Sequence, residues 1–126
     1  MTQPDPPPDP PPDPPPDLLA ALLAERAEVL ARLERLGAEV AGFVEASRDT
    51  NADDEHDPEG ATIAFERSQV ASVQQAARRR LGEVEAALAR LERGVGAVVT
   101  CARCGRPIPA ERLEARPWAT TCVGCG

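Results

Sequence analysis

The sequence predicts a mainly α-helical protein, and three observations support this fold class. Two long segments carry apolar residues at helical spacing on either side of a short acidic stretch. The chain has 2 Phe, 1 Trp and no Tyr, which is too little aromatic volume for an ordinary globular core. Its 4 cysteines lie in two pairs near the C-terminus. We therefore expect an antiparallel helical-hairpin coiled coil with a C-terminal four-cysteine zinc finger and a disordered Pro-rich N-terminal tail.

Residues 1–17 form the predicted tail. From Pro4 to Asp17 the sequence repeats Pro-Pro-Pro-Asp with a period of four. Proline fixes φ and lacks an N–H group, so neither a helix nor a sheet is expected here, and polyproline II is. The tail is interpreted as a spacer or solubility segment. A ligand for a proline-binding domain is the alternative, although no Lys or Arg flanks the prolines.

The first helix is predicted from Leu18 to about Arg48, with Asp17 as its N-cap. Apolar residues follow the helix in two adjacent rows, which makes the apolar stripe wider than a simple dimer seam. We predict the seam on one row, in which Arg26 and Gly37 fill two positions. This row contains Leu19, Leu23, Leu30, Leu33, Val40 and Val44, and the flanking row contains Leu22, Val29, Leu36 and Phe43.

The second helix is predicted from about Pro58 to Arg93, ended by Gly94 and Gly96. Its apolar residues repeat every seven positions at Ile63, Val70, Ala77, Val84 and Leu91, with a second row at Leu81, Leu88 and Val95. Two helices of matching length joined by a short polar turn predict a hairpin over residues 18–96. An intermolecular bundle with one helix from each chain remains the alternative.

The connection at residues 49–60 is strongly acidic and contains no Lys or Arg. We expect this segment to be the tip of the hairpin and a contact surface for a partner, with a merely solvated turn as the alternative. The candidate partner-binding residues are Asp53, Asp54, Asp57 and Glu59. On the second helix, a run of basic residues is either a solvated face or a partner or nucleotide contact; it consists of Arg78, Arg79 and Arg80.

Residues 97–126 form the predicted zinc finger. Its candidate ligands are two Cys-x-x-Cys pairs separated by seventeen residues, namely Cys101, Cys104, Cys122 and Cys125. Four thiolates complete a tetrahedral sphere, which predicts one structural Zn²⁺ and no open catalytic position. Gly105 and Gly126 each follow a pair, where glycine allows a positive φ and lets backbone N–H groups face sulfur. A redox dithiol or disulfides are the alternatives.

Charge and composition exclude several function classes. The net charge of −7 argues against binding DNA through its phosphates, which requires a positive face. The N-terminus lacks the features of a signal peptide, and Glu25 and Arg26 interrupt the Leu/Ala-rich stretch before it could span a membrane. With 1 His and no visible nucleophile–base arrangement, an enzyme is not expected. The prediction is a non-enzymatic cytoplasmic protein.

From Leu18 to Cys125 the sequence resembles the DksA/TraR family of transcription factors that bind RNA polymerase. The specific part of the resemblance is the string Cys101-x-x-Cys104-Gly105-x-Pro107-Ile108, Arg112-Leu113-Glu114-Ala115-Arg116-Pro117 and Ala119-Thr120-x-Cys122-x-x-Cys125. The resemblance implies a regulator whose acidic coiled-coil tip enters the secondary channel of bacterial RNA polymerase and acts near the active-site Mg²⁺, without contacting DNA.

The family's tip commonly reads Asp-x-x-Asp-x-Ala, and two registers are possible here. One starts at Asp54 and has Glu59 in place of Ala, and the other starts at Asp57. Glu85 lies about where the family's basic pair has a Lys, so binding of the alarmone ppGpp is left open. Two other functions compete: a zinc-finger adaptor or scaffold that docks through the tail, and a thiol-based redox sensor.

Overall fold

The structure, a computed structural model, describes Pro4, residues 13–49 and residues 58–126, with side chains except those of residues 47–49, 58 and 59. Four helices lie in these ranges: α1 (Leu18–Asp49), α2 (Pro58–Arg93), α3 (Val95–Val99) and α4 (Ala110–Ala115). In the described part of the chain, the β-structure is an isolated antiparallel bridge between Thr100 and Pro107. The mainly α-helical prediction is confirmed, and both long helices begin where the sequence predicts.

The chain divides into two compact units. Unit 1 contains residues Met1–Leu22 and Ala86–Gly126, and unit 2 contains residues Leu23–Glu85. Each long helix therefore contributes to both units. The boundaries expected from the sequence, after residue 17 and after residue 96, mark changes in sequence character and stay predictions.

In unit 2, α1 and α2 pack antiparallel. The Glu25 and Arg80 side chains meet at 3.6 Å between Oε1 and Nη1, and those of Arg26 and Glu85 meet at 3.6 Å between Nε and Oε1. The beginning of the α1 portion thus lies beside the end of the α2 portion, which requires opposite helix directions. The predicted hairpin within one chain is therefore confirmed.

The seam of unit 2 is narrow and built from small residues. Val29 of α1 and Ala77 and Val84 of α2 are buried. Half-buried apolar residues continue this seam along both helices: Leu33, Leu36, Val40 and Phe43 on α1, and Ile63, Val70 and Leu81 on α2. Small buried side chains allow two helices to approach closely, which explains how a chain with almost no aromatic residues forms a core.

On α1 the predicted seam row is wrong in its first half. Leu19, Leu23 and Leu30 are 54%, 49% and 41% exposed, whereas Leu22 and Val29 of the flanking row are fully buried. Between Leu22 and Val29, the seam position is occupied by Glu25, whose side chain pairs with Arg80. Arg26, which was predicted there, does not occupy it. The apolar stripe covers both rows, so periodicity alone does not choose between them; the pairing with α2 does.

On α2 the predicted rows are confirmed as far as Leu91, and the helix ends at Arg93. Gly94 terminates it with φ 130°, a conformation that L-residues rarely adopt. Gly96 was predicted as a second terminator, but it lies inside α3. Val95 was predicted to continue the seam and is instead exposed, because the chain has already left the axis of α2.

Unit 1 joins the start of α1 to the C-terminal module. The Asp17 carbonyl accepts the first helical hydrogen bond from Ala21 N–H at 2.8 Å, so Asp17 occupies the predicted N-cap position. Pro15, within the predicted tail, is buried. The unit's other fully buried side chains come from every helix and include Leu22, Val98, Val99, Cys101, Ile108 and Leu113. Among the described helices, none has an apolar stretch long enough to cross a bilayer.

Candidate metal centre

The first cysteine pair is held by α3 and a short antiparallel connection. Val98 and Val99 are buried and fix the end of α3 in unit 1. Ile108 N–H then donates to the Val99 carbonyl at 2.6 Å, and Cys101 N–H donates to the Arg106 carbonyl at 2.8 Å. These two bonds fold residues 101–106 into a tight loop, so Cys101 and Cys104 face the same side.

Backbone N–H groups inside this loop point at sulfur. Arg103 N–H lies 3.4 Å from Cys101 Sγ, and Arg106 N–H lies 3.4 Å from Cys104 Sγ. Gly105 has φ 74° and donates its N–H to the Cys101 carbonyl at 3.0 Å. The predicted role of Gly105 is confirmed, since a positive φ closes the loop and N–H groups stabilise thiolate charge.

The second cysteine pair is brought to the first by contacts distant in sequence. Ala102 N–H donates to the Thr120 carbonyl at 2.8 Å. Arg112, on α4, donates from Nε to the Thr121 carbonyl at 2.8 Å. Leu113 of α4 is fully buried, which fixes the helix that carries this arginine. The segment before Cys122 is thereby tied to both the first loop and α4.

The second loop closes through the Cys122 carbonyl, which accepts from Cys125 N–H at 3.1 Å and from Gly126 N–H at 3.0 Å. Gly126 was predicted to supply a positive φ, but among the described residues only Gly94 and Gly105 have one. A Cβ at Gly126 would meet the Arg112 guanidinium and approach Thr121 Oγ1, so the arginine side chain would have to shift.

The four sulfurs converge and fit one zinc ion. The Sγ atoms of Cys101, Cys104, Cys122 and Cys125 all lie within 4.8 Å of one another. Cys104 Sγ and Cys122 Sγ are 3.6 Å apart. A tetrahedron with Zn–S bonds of about 2.3 Å requires S–S separations of about 3.8 Å, whereas a disulfide requires about 2.05 Å. All four cysteines are free thiols, so the donor set matches a structural zinc site with four thiolate ligands.

Hydrogen bonding shifts the pKa values of Cys101, Cys122 and Cys125 in different directions. The pKa of Cys101 is lowered to about 6, first by the backbone N–H of Cys122 and then by the N–H groups of Cys104 and Arg103. The pKa of Cys122 is lowered, chiefly by its hydrogen bond with the Cys104 side chain. The pKa of Cys125 is raised to about 12 by its hydrogen bonds with the side chains of Cys104 and Cys122. Deprotonation is therefore favoured at Cys101 and Cys122 and disfavoured at Cys125.

Two arginine side chains lie near the cluster and offset the negative charge of its thiolates. Arg103 Nη1 lies 3.5 Å from the Cys125 carbonyl, and Arg112 binds the loop that precedes Cys122. Since Zn²⁺ with four thiolates carries net negative charge, these arginines stabilise the loaded site electrostatically as well as sterically.

The other candidate residues belong to the acidic connection and to α2. Asp53, Asp54 and Asp57 fall outside the described residues, and Glu59 lies in the first turn of α2, where its side chain is not described. Their role in binding a partner stays a prediction.

The arginine run on α2 is not uniform. Arg78 and Arg79 are exposed, whereas Arg80 pairs with Glu25 and, at 3.4 Å, with Glu83. Glu85 is engaged with Arg26 in the position where the resemblance calls for a basic residue. Arg80 thus has a structural role, and only its two neighbours are available to a partner.

Sequence reasoning did not assign a role to Arg112, although this residue ties α4 to the second cysteine loop. No local pattern marks it, because its partner Thr121 lies nine positions away and accepts through a backbone carbonyl. The pairing of Ala102 with Thr120 was missed for the same reason.

Comparison with known proteins identifies relatives of both the module and the fold. Residues 93–126 match the prokaryotic dksA/traR C4-type zinc finger. The transcription factor DksA2 from Pseudomonas aeruginosa is similar in structure, with a TM-score of 0.71 and 28% sequence identity. The match covers 86% of this chain and 76% of that protein. No curated protein sequence matches the chain.

Proposed function

We propose that this chain is a transcription regulator of the DksA/TraR family that binds bacterial RNA polymerase through the secondary channel. Two independent likenesses support the proposal: the zinc finger over residues 93–126 and a fold similar to a transcription factor over most of the chain. The zinc centre is structural, so it gives the module its shape and supplies no catalytic step. On this proposal the protein acts in the cytoplasm and catalyses no reaction itself.

The observation that carries the proposal is the antiparallel packing of α1 and α2 in unit 2. The helix α1 ends at Asp49 and α2 begins at Pro58, so the acidic connection follows α1 and precedes α2 in the sequence. On this proposal its acidic residues form the turn of the hairpin. We propose that Asp53, Asp54, Asp57 and Glu59 form the surface that enters the polymerase channel.

Charge supports this mode of action. The connection is acidic, and a polymerase active centre holds Mg²⁺, so attraction between the two favours insertion of the hairpin turn. The net charge of −7 disfavours direct binding to DNA phosphates. The regulator would thus alter the lifetime of promoter complexes from within the enzyme and not from the promoter.

A second contact is proposed on α2. Arg78 and Arg79 are exposed on adjacent positions of the helix, whereas their neighbour Arg80 is already engaged within the hairpin. Two exposed guanidinium groups suit an acidic patch on the partner or a phosphorylated nucleotide. Single substitutions of Arg78 and Arg79 test this contact without disturbing the α1–α2 pairing.

The test is in vitro transcription with purified bacterial RNA polymerase, together with a pull-down of the core enzyme. The triple variant Asp53/Asp54/Asp57→Asn removes three charges from the hairpin turn. The matched control Asp5/Asp9/Asp13→Asn removes the same charge from the N-terminal tail. We expect the first variant to lose the effect on promoter-complex lifetime and the control to keep it.

Two results would count against the proposal. Wild-type protein that fails to bind core polymerase at micromolar concentration would remove it. Equal loss of activity in the tail control would show that net charge matters and that the position of the acids at the turn does not.

A further inference from the structure

A cleft beside the metal centre is lined by an arginine with a buried, unsatisfied nitrogen atom. The cleft has a volume of about 380 Å³ and lies wholly within unit 1. Its lining comes from the end of α2, from α3 and from both cysteine segments: Arg90, Gly96, Ala97, Thr100, Cys101, Ala102 and Thr120. None of these residues belongs to the proposed polymerase-binding surface.

The charge of Arg90 is not balanced by the residues around it. Its Nη2 atom is buried, and no described residue offers it a hydrogen bond. Among the residues that the structure describes, no acidic side chain lines the cleft. A buried donor that lacks an acceptor destabilises a protein, and more so when the donor is charged. An exogenous acceptor in the cleft would relieve this cost if the guanidinium turned toward it, because Nη2 itself has almost no accessible surface.

Burial and a second cation both disfavour the charge on Arg90. Its pKa is lowered, first by burial and then by the nearby charge of Arg93. Arginine remains protonated at neutral pH despite such a shift, so the cleft keeps a positive potential. An anion is therefore the kind of ligand that the surroundings of Arg90 lack.

The other lining residues determine which kind of anion the cleft can bind. Gly96, Ala97 and Ala102 present small, mostly apolar surfaces, and the Thr100 hydroxyl already donates to the Gly96 carbonyl at 2.7 Å. Thr120 is the other residue of the lining with a hydroxyl group. One planar guanidinium fork with a single additional donor suits a carboxylate, whereas phosphate sites usually collect several donors.

We propose that this cleft binds a small organic acid, with its carboxylate on the Arg90 guanidinium and its short apolar body against Ala97 and Ala102. The Thr120 hydroxyl donates the additional hydrogen bond to the carboxylate. The volume of the cleft is within the range of pockets that hold small ligands. The proposal does not depend on binding to RNA polymerase.

The test is a titration of the zinc-loaded, ¹⁵N-labelled full chain with sodium butyrate at constant ionic strength, monitored by NMR. We expect saturable shifts of the Arg90 side-chain signal and of the Ala102 and Thr120 amides. Arg90→Met should weaken binding by at least about tenfold, because the cation and its fork are both lost. Arg90→Lys should weaken it by a smaller factor, since the charge remains and the fork does not.

Two further variants separate the site from general electrostatics. Arg93→Met removes a cation from the same helix end without touching the lining, and it should change the affinity by no more than about threefold. Thr120→Val removes only the proposed donor and should weaken binding by about threefold to tenfold. Both retain the Arg90 group, so they remain informative even if Arg90→Met failed to fold.

Several results would overturn the proposal. Shifts that do not saturate, or that are equal in wild type and in Arg90→Met, would mean that butyrate does not bind at this arginine. Inorganic phosphate that saturates the same signals at equal or lower concentration would reject the carboxylate assignment. Loss of zinc in both Arg90→Met and Arg90→Lys would assign the guanidinium a structural role instead.

Discussion

Cys104 Sγ and Cys122 Sγ lie 3.6 Å apart, although eighteen positions separate these residues in the sequence. Neither belongs to a helix, and each sits in a loop of its own. The hydrogen bonds from Ala102 to Thr120 and from Arg112 to Thr121 bring the loops together, and a shared metal ion would fix them. The module's fold and its metal binding are therefore one process.

We predict that the wild-type chain binds one Zn²⁺ and that Cys104→Ser binds it much more weakly and loses it to a chelator. The affinity falls because only three of the four thiolates remain and water must complete the tetrahedron. Zinc content by mass spectrometry gives the stoichiometry. Fluorescence of Trp118, the chain's 1 Trp, reports the structure of the module locally.

Val123→Ala is the matched control for the zinc prediction. Val123 lies between Cys122 and Cys125 but is 67% exposed, so this change alters the second loop without removing a ligand or core volume. It should keep the full zinc content. A Cys104→Ser protein that retained one Zn²⁺ in the presence of the chelator, with unchanged Trp118 emission, would contradict the four-thiolate site.

Zinc binding should release fewer than four protons at pH 7. The pKa of Cys101 is lowered to about 6 by backbone N–H groups, so this thiol has already lost its proton at neutral pH. The pKa of Cys125 is raised to about 12, so that proton must be displaced by the metal. Calorimetry in buffers of different ionisation enthalpy measures the number released.

Zinc affinity should depend on pH in a definite direction. As the pH falls through about 6, Cys101 becomes protonated in the metal-free protein, and the number of protons released per zinc rises. The logarithm of the zinc affinity therefore falls more steeply with decreasing pH below 6 than above it. Release of about four protons at pH 7, unchanged when the pH is lowered to about 5.5, would refute the thiolate assignment.

For two neighbouring residues of α1, burial and side-chain size give opposite predictions of which alanine substitution destabilises the protein more. Val29 is fully buried in unit 2, and the larger Leu30 beside it is 41% exposed. Val29→Ala should lower the free energy of unfolding by about 2 kcal/mol, because it removes buried methyl groups and leaves a cavity. Leu30→Ala should cost less than about 1 kcal/mol, since Leu30 lies outside the buried seam and 41% of its surface is already in water. Denaturant unfolding of zinc-loaded protein measures both.

Val29 and Leu30 also show which features of this structure can be predicted from the sequence and which cannot. Helical spacing located both helices within a residue, and the cysteine spacing identified the four thiols, because each signal is local or depends on chemistry with few solutions. The choice between the rows of Leu30 and Val29 was wrong. It depends on which residues of α2 lie opposite, and a charged side chain, Glu25, occupies the true seam. Arg112 was missed because its partner is a distant carbonyl group.

Two ion pairs in unit 2 have the same N···O distance but different solvent exposure. They therefore test how burial affects the strength of an ion pair. Glu25–Arg80 and Arg26–Glu85 are both separated by 3.6 Å, but the side chains of the first pair are 23% and 38% exposed and those of the second are 46% and 52% exposed. Double-mutant cycles to alanine should give a coupling of about 0.5–1 kcal/mol for the first pair. The second should give less than about 0.5 kcal/mol.

Salt provides the control for the ion pairs. Raising the ionic strength to about 1 M shortens the screening length to about 3 Å, so it should abolish the coupling of the exposed pair first. Equal couplings for the two pairs, at low and at high salt, would mean that their partial burial has no effect on their strength.

Two glycines, one inside α2 and one directly after it, should change stability in opposite directions when replaced by alanine. Gly82 is inside the helix, and a Cβ there would meet nothing within 4 Å. Gly82→Ala should therefore raise the free energy of unfolding by about 0.5–1 kcal/mol, since alanine loses less conformational entropy in a helix. Gly94 also has open space around it, but its φ is 130°. Gly94→Ala should cost about 1–3 kcal/mol through backbone strain alone.

The comparison separates conformation from packing, because neither position has a neighbour for the added methyl group to contact. Thermal unfolding of both zinc-loaded variants beside the wild type measures the two shifts. If Gly94→Ala were as stable as the wild type, α2 would be able to continue past Arg93, and the separate start of α3 would not be required to position Cys101. A destabilised Gly94→Ala with full zinc content would instead locate the strain at the junction of α2 and α3, outside the metal site.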